Sequence, residues 1–82
     1  MKYPADHRRW TKNSPIRMTR RMLGASVKEI AALLGVPIPT YWSWEIGRRR
    51  PREESMEDIA HALKISPIKL VKEYEIWKAL RP

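Results

Sequence analysis

Residues that end and begin helices follow one another at short intervals through the first half of the chain. Ser14 and Ser26 have the side chain that caps a helix N-terminus, and Gly24 and Gly35 stand where a glycine ends a helix. Between these points, apolar residues recur at spacings of three and four. The pattern predicts short α-helices joined by tight turns, which limits the chain to an all-α domain.

Five helices are predicted, and three of their starts carry a further signal. Pro15 occupies the first position of the first helix, and Glu29 completes a capping box with Ser26. Ser66 and Pro67 repeat the cap-and-proline signal before the last helix. The five segments are residues 15–23, residues 27–34, residues 38–46, a helix from Ser55 to Leu63, and a helix from Pro67 to Leu80.

Positive charge is concentrated before residue 53. Seventeen Lys and Arg against nine Asp and Glu give a net charge of +8. Residues 16–52 hold eight basic and two acidic side chains, whereas residues 53–82 hold five basic and six acidic ones. The densest cluster is RRRPR at residues 48–52, which predicts a polyanionic partner such as nucleic acid. A basic face that serves only solubility is the alternative.

Several classes of function have no support in the sequence. There is no cysteine, and His7 and His61 stand far apart without a partner at metal-ligand spacing, so no metal site is predicted. No nucleophile stands with a base and no Gly-rich phosphate loop is present, so no enzyme activity, cofactor or small-molecule ligand is predicted. No apolar run is long enough to span a membrane, and the first residues lack the apolar core of a signal peptide, so we expect a cytoplasmic location and no membrane partner.

Two motifs in the middle of the chain carry a family resemblance. They are E-x-A-x-x-L-G-V at residues 29–36 and W-E-x-G-x-R-x-P at residues 44–51. Together they resemble the phage repressor and Cro type of helix-turn-helix protein, also called the XRE family, and residues 58–70 resemble its closing helices. The resemblance implies a compact, lambda-repressor-like domain of five helices over residues 16–82. Its helix-turn-helix lies at helices two and three. Beyond the resemblance, the last helix is extended, and the weak periodicity of residues 1–15 predicts a flexible basic arm.

The resemblance also implies how the third helix is held and which residues lie near phosphate. Tyr41 and Trp44 would face the core, and Arg20 and Glu45 would form a structural pair that bridges helix one to the end of helix three. Family members contact DNA phosphates from the start of helix two and from the loop after helix three. The candidate phosphate contacts are Ser26, Val27, Lys28, Thr40, Arg48, Arg49, Arg50 and Arg52.

The positions that read bases in the family hold unusual residues here. They are Ile38, Pro39, Trp42 and Ser43, where Gln, Asn or Arg is more usual. Ile38 and Pro39 either pack against thymine methyl groups or only form a rigid first turn. Trp42 either contacts DNA or a partner, or is exposed without a role. Val27 stands where Gln often supports phosphate binding, and it leaves only the backbone N–H groups of the helix N-terminus for that task.

The two ends of the chain leave alternatives open. Tyr74, Trp77 and Leu80 continue the apolar stripe of the last helix past the usual end of the family. They pack either against Trp10 of the arm or, as we favour, in a dimer interface. The arm either enters a minor groove or remains a basic tail.

The sequence therefore predicts a sequence-specific DNA-binding transcriptional regulator. Specifically, it predicts a repressor of phage or mobile-element type that binds an inverted repeat in double-stranded DNA as a homodimer. The alternative is a protein-interaction module, either an antitoxin or an accessory subunit, which keeps the fold and binds a protein through its apolar third helix.

Overall fold

The computed structural model describes residues 13–80, and these residues form a succession of helices with short connections. The helices are α1 at Pro15–Leu23, α2 at Val27–Leu34, α3 at Ile38–Glu45, α4 at Glu53–Leu63 and α5 at Pro67–Leu80. No strand lies within residues 13–80. The predicted all-α class with five helices is confirmed.

The polar caps predicted for the first two helices are present. The Ser14 hydroxyl accepts a hydrogen bond from the backbone N–H of Arg17 at 3.1 Å. At the start of α2, Ser26 and Glu29 each accept a hydrogen bond from the other's backbone N–H, at 3.0 and 2.8 Å, which is a complete capping box. Gly35 ends α2 with φ 69°, in the left-handed conformation that favours glycine. Local sequence therefore determines where these helices begin and end.

Two predicted boundaries differ from the structure. The predicted start of α4 at Ser55 is wrong, since the helix begins two residues earlier, at Glu53. The reason is electrostatic: Glu53 and Glu54, which follow the N-cap Arg52, place carboxylates in the first turn, where the helix dipole favours them. The predicted end of α3 is one residue too late, because the helix ends at Glu45.

The N-terminal boundary also needs correction. Ser14 and Pro15 are buried at the start of α1, so they belong to the folded domain and not to the predicted arm at residues 1–15. Trp10 and the remainder of that predicted arm lie outside the described residues.

All five helices contribute side chains to one core. The buried apolar residues are Ile16, Ile30, Ala31, Tyr41, Met56, Ile59, Ala60, Leu63, Leu70, Tyr74 and Trp77. Helix α5 packs against both α1 and α4, which cover its apolar stripe. Tyr74 is 0% and Trp77 is 1% exposed, so the prediction that these two residues form a dimer interface is wrong. Of that predicted set, Leu80 alone is exposed.

Candidate nucleic-acid interface

Helices α2 and α3 are joined by a tight turn over residues 35–37. The backbone N–H groups of Gly35 and Val36 donate to the carbonyls of Ala32 and Ala31, each at 3.1 Å, and so complete the hydrogen bonding at the C-terminus of α2. Ala31 is buried, and its small side chain suits close packing of α2 against α3. Pro37 then begins α3 without a side-chain cap. The arrangement is a helix, a three-residue turn and a second short helix.

The inner face of α3 is fixed by aromatic packing. Tyr41 is buried, and its ring meets the ring of Trp44 edge-on with centroids 6.5 Å apart. Trp44 is half-buried against the core, and its backbone carbonyl accepts a hydrogen bond from the Tyr74 hydroxyl at 3.0 Å. Burial, and after it the neighbouring Glu45 carboxylate, raises the pKa of the Tyr41 phenol. Both aromatic side chains therefore face the core, as the family pattern implies.

A charged pair joins the end of α3 to α1. The guanidinium of Arg20 donates from Nε and Nη2 to the two oxygens of the Glu45 carboxylate, at 2.5 and 3.2 Å. Its Nη1 donates to the backbone carbonyl of Ala25 at 2.9 Å. The hydrogen bonds that the Glu45 carboxylate accepts raise the pKa of the Arg20 guanidinium above its ordinary value. This bidentate geometry sets the direction of α3 relative to α1.

The outer face of α3 presents the four predicted base-contacting residues, which we call the outer strip: Ile38, Pro39, Trp42 and Ser43. Ile38 is 46% and Trp42 is 39% exposed. The Ser43 hydroxyl donates to the carbonyl of Pro39 at 2.8 Å, so its proton is already used within the helix. Thr40, a predicted phosphate contact, is half-buried on the same helix.

Sequence reasoning did not identify Arg17 as a neighbour of the outer strip. Its guanidinium carbon lies 5.7 Å from the centre of a Trp42 ring, a cation–π distance. Arg17 belongs to α1 and Trp42 to α3, so the contact depends on how the two helices pack. No local signal in the sequence indicates it. The pairing restrains the largest side chain of the outer strip.

The N-terminus of α2 holds three predicted phosphate contacts of different character. Lys28 is exposed. Ser26 is exposed as well, but its hydroxyl serves the capping box and the Glu29 carboxylate lies beside it. Val27 packs its side chain against the core, so only its backbone faces this end of the helix. Lys28 is therefore the one cation among these three positions.

The connection from α3 to α4, residues 46–52, which we call the basic loop, holds the other predicted phosphate contacts. The side chains of Arg48, Arg49, Arg50 and Arg52 are exposed. The backbone beneath them is anchored, because Pro51 is buried and the N–H groups of Arg48 and Arg49 donate to the Ser43 carbonyl at 2.9 and 3.3 Å. A fixed backbone with exposed guanidinium groups suits the binding of DNA phosphates.

Helix α5 makes contacts with this loop that sequence reasoning missed. Lys78 Nζ donates to the carbonyl of Gly47 at 2.9 Å. The Glu75 carboxylate forms an ion pair with the Arg50 guanidinium. Both contacts join residues at least twenty-five positions apart, so no local pattern predicts them.

Within the described part of the chain, no three His, Asp or Glu side chains stand close enough to hold a metal ion. Across the same residues, none of the helices is both long and apolar enough to cross a membrane.

The turn geometry, the fixed inner face of α3 and its exposed outer strip define a helix-turn-helix domain. Residues 16–70, two thirds of the chain, match the family model described as helix-turn-helix. The chain therefore belongs to the helix-turn-helix family of the XRE type and is a DNA-binding transcriptional regulator of that kind. Comparisons with curated proteins and with solved structures gave no significant match.

Proposed function

We propose that the protein is a repressor of phage or mobile-element type that binds an inverted-repeat operator as a homodimer. Helix α3 lies in the major groove, and the basic loop and the N-terminus of α2 bind phosphates on either side of it. Repression follows because the bound protein excludes RNA polymerase. One observation carries the proposal: the Arg20–Glu45 pair fixes the end of a helix whose Ile38, Pro39 and Trp42 are exposed, and the loop that follows carries exposed arginines.

The chemistry of the outer strip indicates which bases it would prefer. Ile38 and Pro39 offer apolar surface, which suits the methyl group of thymine. Because the Ser43 hydroxyl donates its proton to Pro39, it is left to accept a hydrogen bond, for example from the amino group of adenine or cytosine. Trp42, held against Arg17, adds a rigid apolar surface beside them. We therefore propose that the half-site is rich in A·T pairs.

The homodimer follows from the symmetry of the proposed operator, since two copies of α3 are needed to read both halves of an inverted repeat. With Tyr74 and Trp77 buried, the surface of α5 that remains for the contact includes the exposed Ile76 and Leu80.

The second candidate function is a protein-interaction module, either an antitoxin or an accessory subunit. The exposed apolar surface formed by Ile38, Pro39 and Trp42 favours it, because exposed tryptophan is enriched in protein interfaces. The requirement for the basic loop distinguishes the two candidate functions. A DNA-binding regulator needs the loop for affinity, whereas a module that binds a protein through α3 does not.

Titrations of labelled duplexes over a series of salt concentrations test the proposal. We expect Arg49→Ala to weaken binding to every sequence alike and to reduce the slope of log affinity against log salt by about 0.9, because one phosphate contact is lost. Lys69→Ala, which removes an exposed charge in the first turn of α5, is the matched control. Ile38→Ala and Ser43→Ala are expected to change which sequences are preferred, by roughly 1 kcal/mol or less for the apolar contact.

Equal losses on operator and random duplexes for Ile38→Ala and Ser43→Ala would contradict the role of α3 as a reader. Salt-independent binding, or no binding, would instead favour the protein-interaction module.

A further inference from the structure

The family match ends at residue 70, in the first turns of α5, and the polar contacts to the basic loop come from residues beyond it. Tyr74, Glu75 and Lys78 lie within little more than one turn of the helix. Tyr74 donates to the Trp44 carbonyl at 3.0 Å, and Lys78 donates to the Gly47 carbonyl at 2.9 Å. These two hydrogen bonds fasten α5 to the end of α3 and to the beginning of the basic loop.

Glu75 stands between these two anchors and pairs with Arg50. Hydrogen bonds from α5 to the backbone carbonyls of Trp44 and Gly47 hold the helix beside the basic loop. The Glu75 carboxylate is therefore held within reach of the Arg50 guanidinium, and little chain entropy is lost when they pair. The pair is accessible to solvent, with side chains 53% exposed for Arg50 and 44% for Glu75. A DNA phosphate can therefore reach Arg50 without any unfolding of the domain.

We propose that Glu75 is an internal competitor for phosphate, which holds the Arg50 guanidinium in the free protein and releases it when the basic loop binds DNA. The inference rests on the proposed DNA-binding function and adds a control of affinity at the same site. A carboxylate and a phosphate are alternative anionic partners for one guanidinium. Glu75 lies against Nη2 of Arg50, so a phosphate that approaches the same guanidinium is repelled by the Glu75 carboxylate, and the two anions compete. Glu75 therefore lowers the affinity of the loop for every sequence.

The size of the effect follows from the exposure of the pair. An exposed ion pair is weak, and its loss corresponds to roughly a two- to fivefold change in an equilibrium constant. The many phosphates of DNA attract Arg50 more strongly than the single Glu75 carboxylate does. Arg50 therefore exchanges Glu75 for a phosphate once the basic loop binds DNA. We expect Arg50→Ala to reduce affinity less than Arg49→Ala, because part of the Arg50 contact is offset by the release of Glu75.

The test compares Glu75→Gln with Glu73→Gln in the full chain. Both variants remove one negative charge from α5, but Glu73 borders the groove lined by Pro15 and Met18, on the side of α1. At about 0.1 M salt we expect Glu75→Gln to bind a mixed-sequence duplex roughly two- to fivefold more tightly than Glu73→Gln. In an Arg50→Ala background the two variants should bind equally, because the competitor has no arginine to hold. Thermal melts confirm that all four proteins are folded.

Equal affinities of Glu75→Gln and Glu73→Gln in the presence of Arg50 would overturn the proposal, as would a gain that persists after Arg50→Ala. No salt-dependent duplex binding by the wild-type protein would overturn the proposed function and this inference together. The guanidinium NMR signal of Arg50 gives a readout without DNA. This signal should shift in Glu75→Gln and stay at its wild-type position in Glu73→Gln. An unchanged signal in both variants would show that Glu75 does not pair with Arg50 and would also overturn the proposal.

Discussion

Replacement of Arg20 by methionine is expected to lower the free energy of unfolding by about 3–5 kcal/mol, the usual result of removing one partner of a buried ion pair. The Glu45 side chain is fully buried, so its charge would lose both donors without gaining water. The Ala25 carbonyl would lose its donor as well. Urea unfolding followed by circular dichroism measures the loss. Arg21→Met, at the exposed neighbouring position, is the control and should change stability by less than about 0.5 kcal/mol.

The double variant Arg20→Met with Glu45→Gln separates the pair from its neighbours. With both charges removed, no ion remains buried, and we expect a substantial part of the stability to return. DNA affinity should stay low in the double variant, because the pair that sets the direction of α3 is absent. A single Arg20→Met variant that keeps wild-type stability would contradict the role given to the pair.

Replacement of Trp77 by alanine is expected to cost about 3–5 kcal/mol, as large-to-small changes of buried aromatic residues do. Trp77 is 1% exposed, and the centroid of its ring lies 5.5 Å from that of the Tyr74 ring. It belongs to the core that α5 shares with α1 and α4. Because this burial is within one chain, the loss should be the same at every protein concentration. Ile68→Ala, at an exposed residue of the same helix, should cost less than about 1 kcal/mol.

The concentration dependence distinguishes this burial from a dimer interface. A Trp77→Ala protein that keeps the wild-type unfolding midpoint but dissociates into folded monomers would support the dimer interface predicted from sequence. The buried position of Trp77 predicts the opposite: the monomer itself is destabilised.

The features of the fold that sequence predicts well are those determined by neighbouring residues. Ser26 and Glu29 form their capping box within a single turn, and Gly35 adopts its left-handed conformation whatever packs around it. Ser55, a common cap residue, predicts a start for α4 that is two residues too late. The actual start uses the backbone of Arg52 and the two carboxylates that follow, with no side-chain cap.

The features that sequence reasoning missed depend on packing between distant segments. The apolar stripe through Tyr74 and Trp77 indicates burial, but its spacing does not say whether the cover is α1 and α4 or a second chain. The contacts of Arg17 with Trp42 and of Arg50 with Glu75 likewise form only after the helices meet. The Arg20–Glu45 pair was predicted because a family pattern, rather than local chemistry, links those two positions.

Selection of bound sites from a pool of random duplex DNA tests most directly whether α3 reads sequence. We expect the wild-type protein to enrich an inverted repeat with A·T-rich half-sites whose centres lie about one helical turn apart. Arg49→Ala should recover the same motif in lower yield, and Ile38→Ala should recover a changed one. Salt-dependent recovery of DNA with no enriched motif would contradict the claim that α3 recognises sequence. The basic loop would then bind phosphates, and the outer strip would make no base-specific contact.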